Sequence, residues 1–241
     1  MNMSTGNHLL DGLSQQDFER LDRHLKPVWL HRGDTLCEAG RRILHGYFCT
    51  GAVVSTVGVG DDGQIIEGGL IGREGMVGLP IILGDANMAH AAVVQMEGAA
   101  LRITAPILNA TFDWSGTFRN AVLRYTQYYL TQVTQTAVCN RTHTMDARLA
   151  RWLLMARDAS GSSKLGLTHE LVAQMLGVHR PGVSMSIGAL KEMGVLECGR
   201  GQITILKPSR LVEISCGCYI AVRFERDRLL GLHRPVPDLV K

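Results

Sequence analysis

Apolar positions along the chain change their period twice, from helical to strand-like and back. Between residues 8 and 26, Leu13, Phe18, Leu21 and Leu25 recur at helical spacing, with Ser14 placed to cap the helix and Pro27 to end it. From Val28 to Thr104 short apolar runs take over: Val28–Leu30, Thr35–Cys37, Gly46–Phe48, Val53–Val57, Gln64–Leu70, Ala92–Met96 and Ala99–Ile103. Gly33-Asp34, Gly40, Gly51, Asp61-Asp62-Gly63, Gly84-Asp85 and Gly98 separate them. Runs of strand length with turn residues at this interval predict an antiparallel barrel or jelly roll. Gly72–Gly84 differs from its surroundings and reads as a loop and short helix, whose free backbone N–H groups suit an anion. Its plain alternative is a glycine-rich turn.

Helical spacing returns in a short segment from Pro106 to Phe112 and in a long one that Ser115 can cap and that reaches Arg141. In the long helix Phe118, Val122, Tyr125, Tyr129, Gln132, Thr136 and Cys139 alternate in steps of four and three, a heptad seam. The seam predicts a dimer interface, the alternative being a face packed on the β domain. Polar Gln132 and Thr136 also suit side chains that touch a ligand. After a boundary at Thr142-His143-Thr144, Asp146 is placed to cap a helix carrying Leu149, Trp152, Leu153, Met155 and Ala156, and Ala159–Ser163 reads as a loop.

The stretch Leu167–Gly201 then reads as a helix-turn-helix with a wing. Thr168 can cap a helix carrying Leu171, Val172, Met175 and Leu176, and Gly177 breaks it. A second helix starts at Arg180 and turns Val183, Ile187 and Leu190 inward. Pro181 fits its first turn, where backbone N–H groups lack intrahelical acceptors. Gly194–Glu197 and Gln202–Leu206, joined by Cys198-Gly199-Arg200-Gly201, form the wing. Two helices and a hairpin also occur as a packed corner of α+β domains, but an arginine between two glycines points to DNA. Ser209–Ser215 and Tyr219–Leu230 read as terminal helices before a tail at Pro235-Val236-Pro237. The fold class is α+β: an N-terminal β-jelly-roll sensor domain (1–114), a long dimerisation helix (115–143) and a C-terminal winged helix-turn-helix (144–241).

Charge sharpens this picture. The net charge of +3 hides an asymmetry: residues 1–143 carry two more acids than bases, residues 144–241 five more bases than acids. The basic half holds the helix-turn-helix, as phosphate neutralisation requires. With 241 residues, 46% of them hydrophobic, the chain can build one large or two ordinary domains. No apolar run approaches the ~20 residues of a membrane span, and the N-terminus lacks the order of a secretory signal, so a cytoplasmic protein without a membrane partner is expected. Six scattered cysteines suit free thiols, and Cys216-Gly217-Cys218 alone supplies too few ligands for zinc, so no metal site is expected. No motif sets a nucleophile beside a base, and no catalytic residue is assigned.

This order of parts resembles the Crp/Fnr family of bacterial transcription regulators. The resemblance spans the chain and rests on Gly33-Asp34, Gly51, Gly72–Gly84, Arg148–Leu154, Leu167-Thr168 and Gly201. It implies a homodimer on a two-fold symmetric site in double-stranded DNA, contact with RNA polymerase, and a signal in the β domain that repositions the DNA-binding domains. Arg180 matches the family's base-reading arginine, which can bond a guanine edge bidentately. Pro181, Ser184, Met185 and Gly188 share its outward side; better-known members place glutamate and a second arginine where Pro181 and Met185 stand, so the site read should differ. Thr168, Lys191 and Arg200 are candidate phosphate contacts.

On the sensing side the resemblance implies a pocket near Glu74, Gly75, His90, Ala91, Gln132 and Thr136. His90 stands where cyclic-nucleotide binders carry their phosphate arginine, and it lacks the guanidinium fork, so a standard cyclic nucleotide is not the expected effector. An iron–sulfur sensor needs clustered N-terminal cysteines, and the first here is Cys37. His31, His45 and His90 lie in the β domain and are the candidates for a heme ligand, although buried or surface histidines of no such role are far commoner. The rival reading is a ligand-binding regulatory module that acts on a protein partner.

Overall fold

The computed structural model describes residues 4–61 and 63–232; Asp62 and the expected tail at Pro235-Val236-Pro237 lie outside them. The N-terminal lead is two short helices, α1 (His8–Asp11) and α2 (Gln15–Asp22). Ser14 caps α2 as expected. The lead ends earlier than expected because Lys26 and Pro27 already belong to a strand, β1 (Lys26–Leu30), at a sheet edge where proline's missing donor is tolerated.

With β1, strands β2 (Thr35–Cys37), β3 (His45–Cys49), β4 (Val53–Val59), β5 (Ile65–Ile71), β6 (Met76–Val77), β7 (Ala91–Met96) and β8 (Gly98–Thr104) form two antiparallel sheets. Their orders, β1-β8-β3-β6 and β2-β7-β4-β5, are those of a jelly roll. The loop and short helix expected within 72–84 are strand β6, paired with Tyr47 and Phe48 of β3, followed by a single turn of 3-10 helix at Leu79–Ile81. Met76, Val77, Leu79 and Ile81 are all buried, so this segment serves the core and offers no helix start for an anion.

Helix α3 (Ala105–Trp114) leads into α4 (Gly116–Thr142), which Ser115 caps by accepting from the Phe118 N–H at 3.1 Å. Next come α5 (Met145–Ser160), β9 (Lys164–Leu165), α6 (His169–Leu176), α7 (Arg180–Glu192), β10 (Leu196–Gly199), β11 (Gln202–Ile205), α8 (Pro208–Ile214) and α9 (Gly217–Leu230). Thr144, not Asp146, holds the cap position of α5; Asp146 sits in the first turn, where its charge still favours the helix dipole.

Two hydrophobic cores divide the molecule in an unexpected way. The first fills the jelly roll, takes in Phe118, Val122, Tyr125 and Tyr128 of α4, and includes Val222 and Leu229 of α9. The last helix therefore returns from the winged half to lie along α4. The second core joins α5, α6, α7 and the wing to Val53, Val57, Leu70 and Met96 of the jelly roll. Hydrogen bonds cross the same boundary: Trp152 Nε1 donates to Glu67 Oε1 at 3.0 Å, and Arg151 donates to Thr136 Oγ1 at 2.7 Å.

Candidate nucleic-acid interface

The helix-turn-helix is fixed at both ends of its first helix. Thr168 Oγ1 accepts from the Leu171 N–H at 3.2 Å and caps α6. Gly177 ends it with φ +61°, and Val178 N–H returns to the Ala173 carbonyl at 3.0 Å, which closes a left-handed C-terminal turn. A side chain at Gly177 would also press on Ile66 of β5, so this turn docks the motif on the jelly roll.

Helix α7 buries Val183, Ile187 and Leu190 and presents the opposite side. There Arg180, Pro181 and Met185 are exposed, with Ser184 and Gly188 half-buried beside them. Met185 is 76% exposed, a large apolar side chain open to solvent. Arg180 Nε lies 3.8 Å from Glu170 Oε2, but both side chains are open to water, so the pair holds the guanidinium weakly. Ser184 Oγ lies 3.0 Å from His169 Nδ1. Lys191 is exposed near the end of α7, and Arg200 is exposed at the turn of the wing, where Gly201 takes φ +70°. Strand β9 adds a third strand beside β11 through the pairs Ile203–Leu165 and Thr204–Lys164. Two residues are too few to show a period in the sequence.

Residues 147–214 match the family of the Crp-like helix-turn-helix domain. Around it, the chain has the fold of Crp/Fnr regulators. A Crp/Fnr-family regulator from Eubacterium rectale superimposes with a TM-score of 0.63 at 20% identity, covering 86% of this chain and 96% of that one. FixK2 from Bradyrhizobium japonicum gives 0.68 at 15% identity over 80% and 98%. The c-di-GMP responsive regulator CLP of Xanthomonas campestris gives 0.63 at 15% identity over 80% and 99%. Among curated proteins none matches this chain.

The six residues expected around an effector do not converge. Tyr125 fills the space over Gly75, where an added Cβ would lie 2.1 Å from its ring. Glu74 is buried, accepts from the Gly72 N–H at 3.0 Å, and has its carboxyl pushed up by burial. Gln132 Oε1 accepts from the Leu70 N–H at 2.7 Å and its Nε2 donates to Tyr128 Oη at 2.9 Å, while Thr136 takes the Arg151 bond. Glu74 and Gln132 line a cavity of about 20 Å³, enough for one water. His90 and Ala91 lie apart from it, His90 exposed in a bend and Ala91 opening β7. A cleft of about 550 Å³ lies between α5 and α9 and carries Arg73, Arg157, Arg223 and Arg226 against Asp158 and Asp227.

The residues expected at a dimer seam instead face the chain's own core. Phe118, Val122, Tyr125 and Gln132 are buried within the one chain, Tyr129 bonds Thr56, and Thr136 bonds Arg151, so these six residues hold α4 to its own protomer. The aromatic residues set the closest approach of α4 to the jelly roll, which Gly69 and Gly75 permit. Leu123 and Leu130, 46% and 62% exposed, lie on the free side of the helix together with exposed Ala137, at seven-residue intervals.

The fold brings together four residues that sequence spacing keeps apart. Cys139 and His143, at the end of α4, meet Cys216 and Cys218 at the start of α9, and all six cysteines of the chain are free. The expectation of no metal ligands treated Cys216 and Cys218 as an isolated pair; the return of α9 to α4 supplies the other two.

Proposed function

We propose that the chain is a homodimeric, sequence-specific DNA-binding transcription regulator. The observation that carries this reading is the Crp-like domain, whose second helix keeps Arg180, Pro181, Ser184 and Met185 clear of the protein's own core. Arg180 reads a guanine edge, Met185 and Pro181 meet thymine methyl groups, and Ser184 bonds a base or phosphate across the half-buried Gly188. Thr168, Lys191 and Arg200 hold phosphates and so fix the register. Two copies join across α4 through Leu123, Leu130 and Ala137, and their recognition helices meet half-sites one helical turn apart, ~34 Å. DNA-bound dimers present the remaining surface to RNA polymerase.

The tyrosine-filled cradle at Gly75 supports an effector other than a cyclic nucleotide bound in the jelly roll. The cleft of Arg73, Arg157, Arg223 and Arg226 suits an anion and touches both α5 and α9. Selection of bound sequences from a random duplex pool tests the central reading: enrichment of a palindrome supports it, and normal binding of that palindrome by Arg180→Ala refutes the assignment of α7. Calorimetry with cyclic AMP and c-di-GMP tests the sensor; micromolar cyclic AMP binding would refute the blocked cradle.

A further inference from the structure

The end of α4 and the start of α9 carry a cluster that DNA binding does not use. Cys139 and His143 are four residues apart at the C-terminus of α4, where that spacing puts both side chains on one side. Cys216 precedes α9 and Cys218 lies in its first turn. Cys139 Sγ and Cys216 Sγ are 3.5 Å apart, Cys218 Sγ and His143 Nδ1 are 3.6 Å apart, and the four ligand atoms all lie within 4.8 Å of one another. We propose that Cys139, His143, Cys216 and Cys218 bind one divalent metal ion of the zinc class, which clamps α9 to α4.

Geometry selects this ligand class. Tetrahedral zinc with bonds of ~2.3 Å to sulfur and ~2.0 Å to nitrogen places its ligand atoms roughly 3.5–3.8 Å apart. The pairs Cys139–Cys216 and Cys218–His143 already meet that spacing, whereas a disulfide needs sulfurs ~2.05 Å apart. An iron–sulfur cluster spreads its cysteines over several iron atoms, and these four atoms are too close for that. Three thiolates and one histidine around a divalent ion leave one negative charge. Arg148 and Arg151 lie within electrostatic reach of Cys139, and each has a buried Nε without a hydrogen-bond partner among the described residues. Those two cations offset the charge of the filled site. Gln135 Nε2 donates to Cys218 Sγ at 3.1 Å, an outer contact that orients a ligand. Thr142 Oγ1 also lies 3.2 Å from His143 Nδ1, a contact that the metal replaces.

All four ligands fall outside residues 147–214, so the site lies beyond the matched domain. It joins the last turn of the long helix to α9 beside the connection into α5. Metal binding there fixes where the winged half sits relative to α4.

The test titrates the reduced full-length chain with cobalt(II) under argon and follows the visible spectrum. One cobalt per chain should produce the intense bands and sulfur-to-metal charge transfer of tetrahedral thiolate coordination, and zinc should bleach them. Cys216→Ser with Cys218→Ser should abolish the spectrum, His143→Ala should weaken binding on the order of tenfold or more, and Cys198→Ser on the wing should change nothing. Because the double variant can also disturb the α9 junction, the unaltered chain gives an independent reading: zinc should slow alkylation of Cys216 and Cys218 and leave Cys198 unaffected. Weak bands of octahedral cobalt, a spectrum that survives the double variant, or alkylation indifferent to zinc would overturn the site.

Discussion

Arg180 carries the sharpest prediction at the scale of single residues. Its guanidinium meets Glu170 in a water-exposed contact that holds it weakly and leaves it able to make a bidentate bond. Arg180→Ala should cost about 1–3 kcal/mol on the selected sequence, roughly tenfold to hundredfold in affinity, and far less on a scrambled duplex. Fluorescence titration with both duplexes checks this, and equal losses on both would reduce Arg180 to a phosphate contact. Glu67 carries the second prediction. Burial between β4, β5 and Trp152 pushes its carboxyl up to about 7 from the usual 4.5, against hydrogen bonds from Ser55 and Trp152 and the charge of Arg151. The folded state holds this proton more tightly, so the contribution of neutral Glu67 is complete below about 4.5 and is lost as pH rises through about 7. Glu67→Gln keeps an acceptor for Trp152 and should flatten that loss; denaturant midpoints measured across the window should fall with pH in the parent only. Caps such as Ser14, Ser115 and Thr168 were legible in the sequence because a cap bonds within three residues. Asn7 caps α1 in the same local way, its Oδ1 accepting from the Leu9 and Leu10 N–H, but the donation of its Nδ2 to the Cys49 and Gly75 carbonyls, 42 and 68 residues away, leaves no mark in local spacing.

Among the elements, α4 shows how far periodicity reaches. The heptad of Phe118, Val122, Tyr125 and Gln132 was legible, but a period states that a face is covered and not by what. The jelly roll covers this one, because large aromatic side chains gain most from the dry interior that Gly69 and Gly75 leave open. Two substitutions separate the faces. Phe118→Ala should lower chain stability by about 3–5 kcal/mol, since it empties a buried site. Leu130→Glu should leave folding nearly unchanged and shift the protein to a monomer in sedimentation; a dimer that survives it would place the interface elsewhere. Gly177→Ala tests the turn between α6 and α7. A left-handed φ and contact with Ile66 should make it cost roughly 1–2 kcal/mol by thermal unfolding.

Across the whole molecule, the order of parts was legible because each carries its own local signature. Strand runs marked the jelly roll, a long helical period marked α4, and Thr168 to Gly201 marked the winged motif. The return of α9 to α4, the shared core around Leu70 and Trp152, and the meeting of Cys139 with Cys216 depend on contacts between residues about 80 positions apart, which no window of sequence contains. These contacts also tie the two halves together. The central claim remains that the exposed side of α7 reads duplex DNA as part of a dimer. Selection from a random duplex pool, repeated at increasing salt, tests it most directly. The account predicts a palindromic consensus with a guanine in each half-site that Arg180→Ala no longer requires, and binding that weakens steeply as salt rises. A folded, dimeric protein that enriches no sequence, with or without anions that fill the arginine cleft, would contradict it.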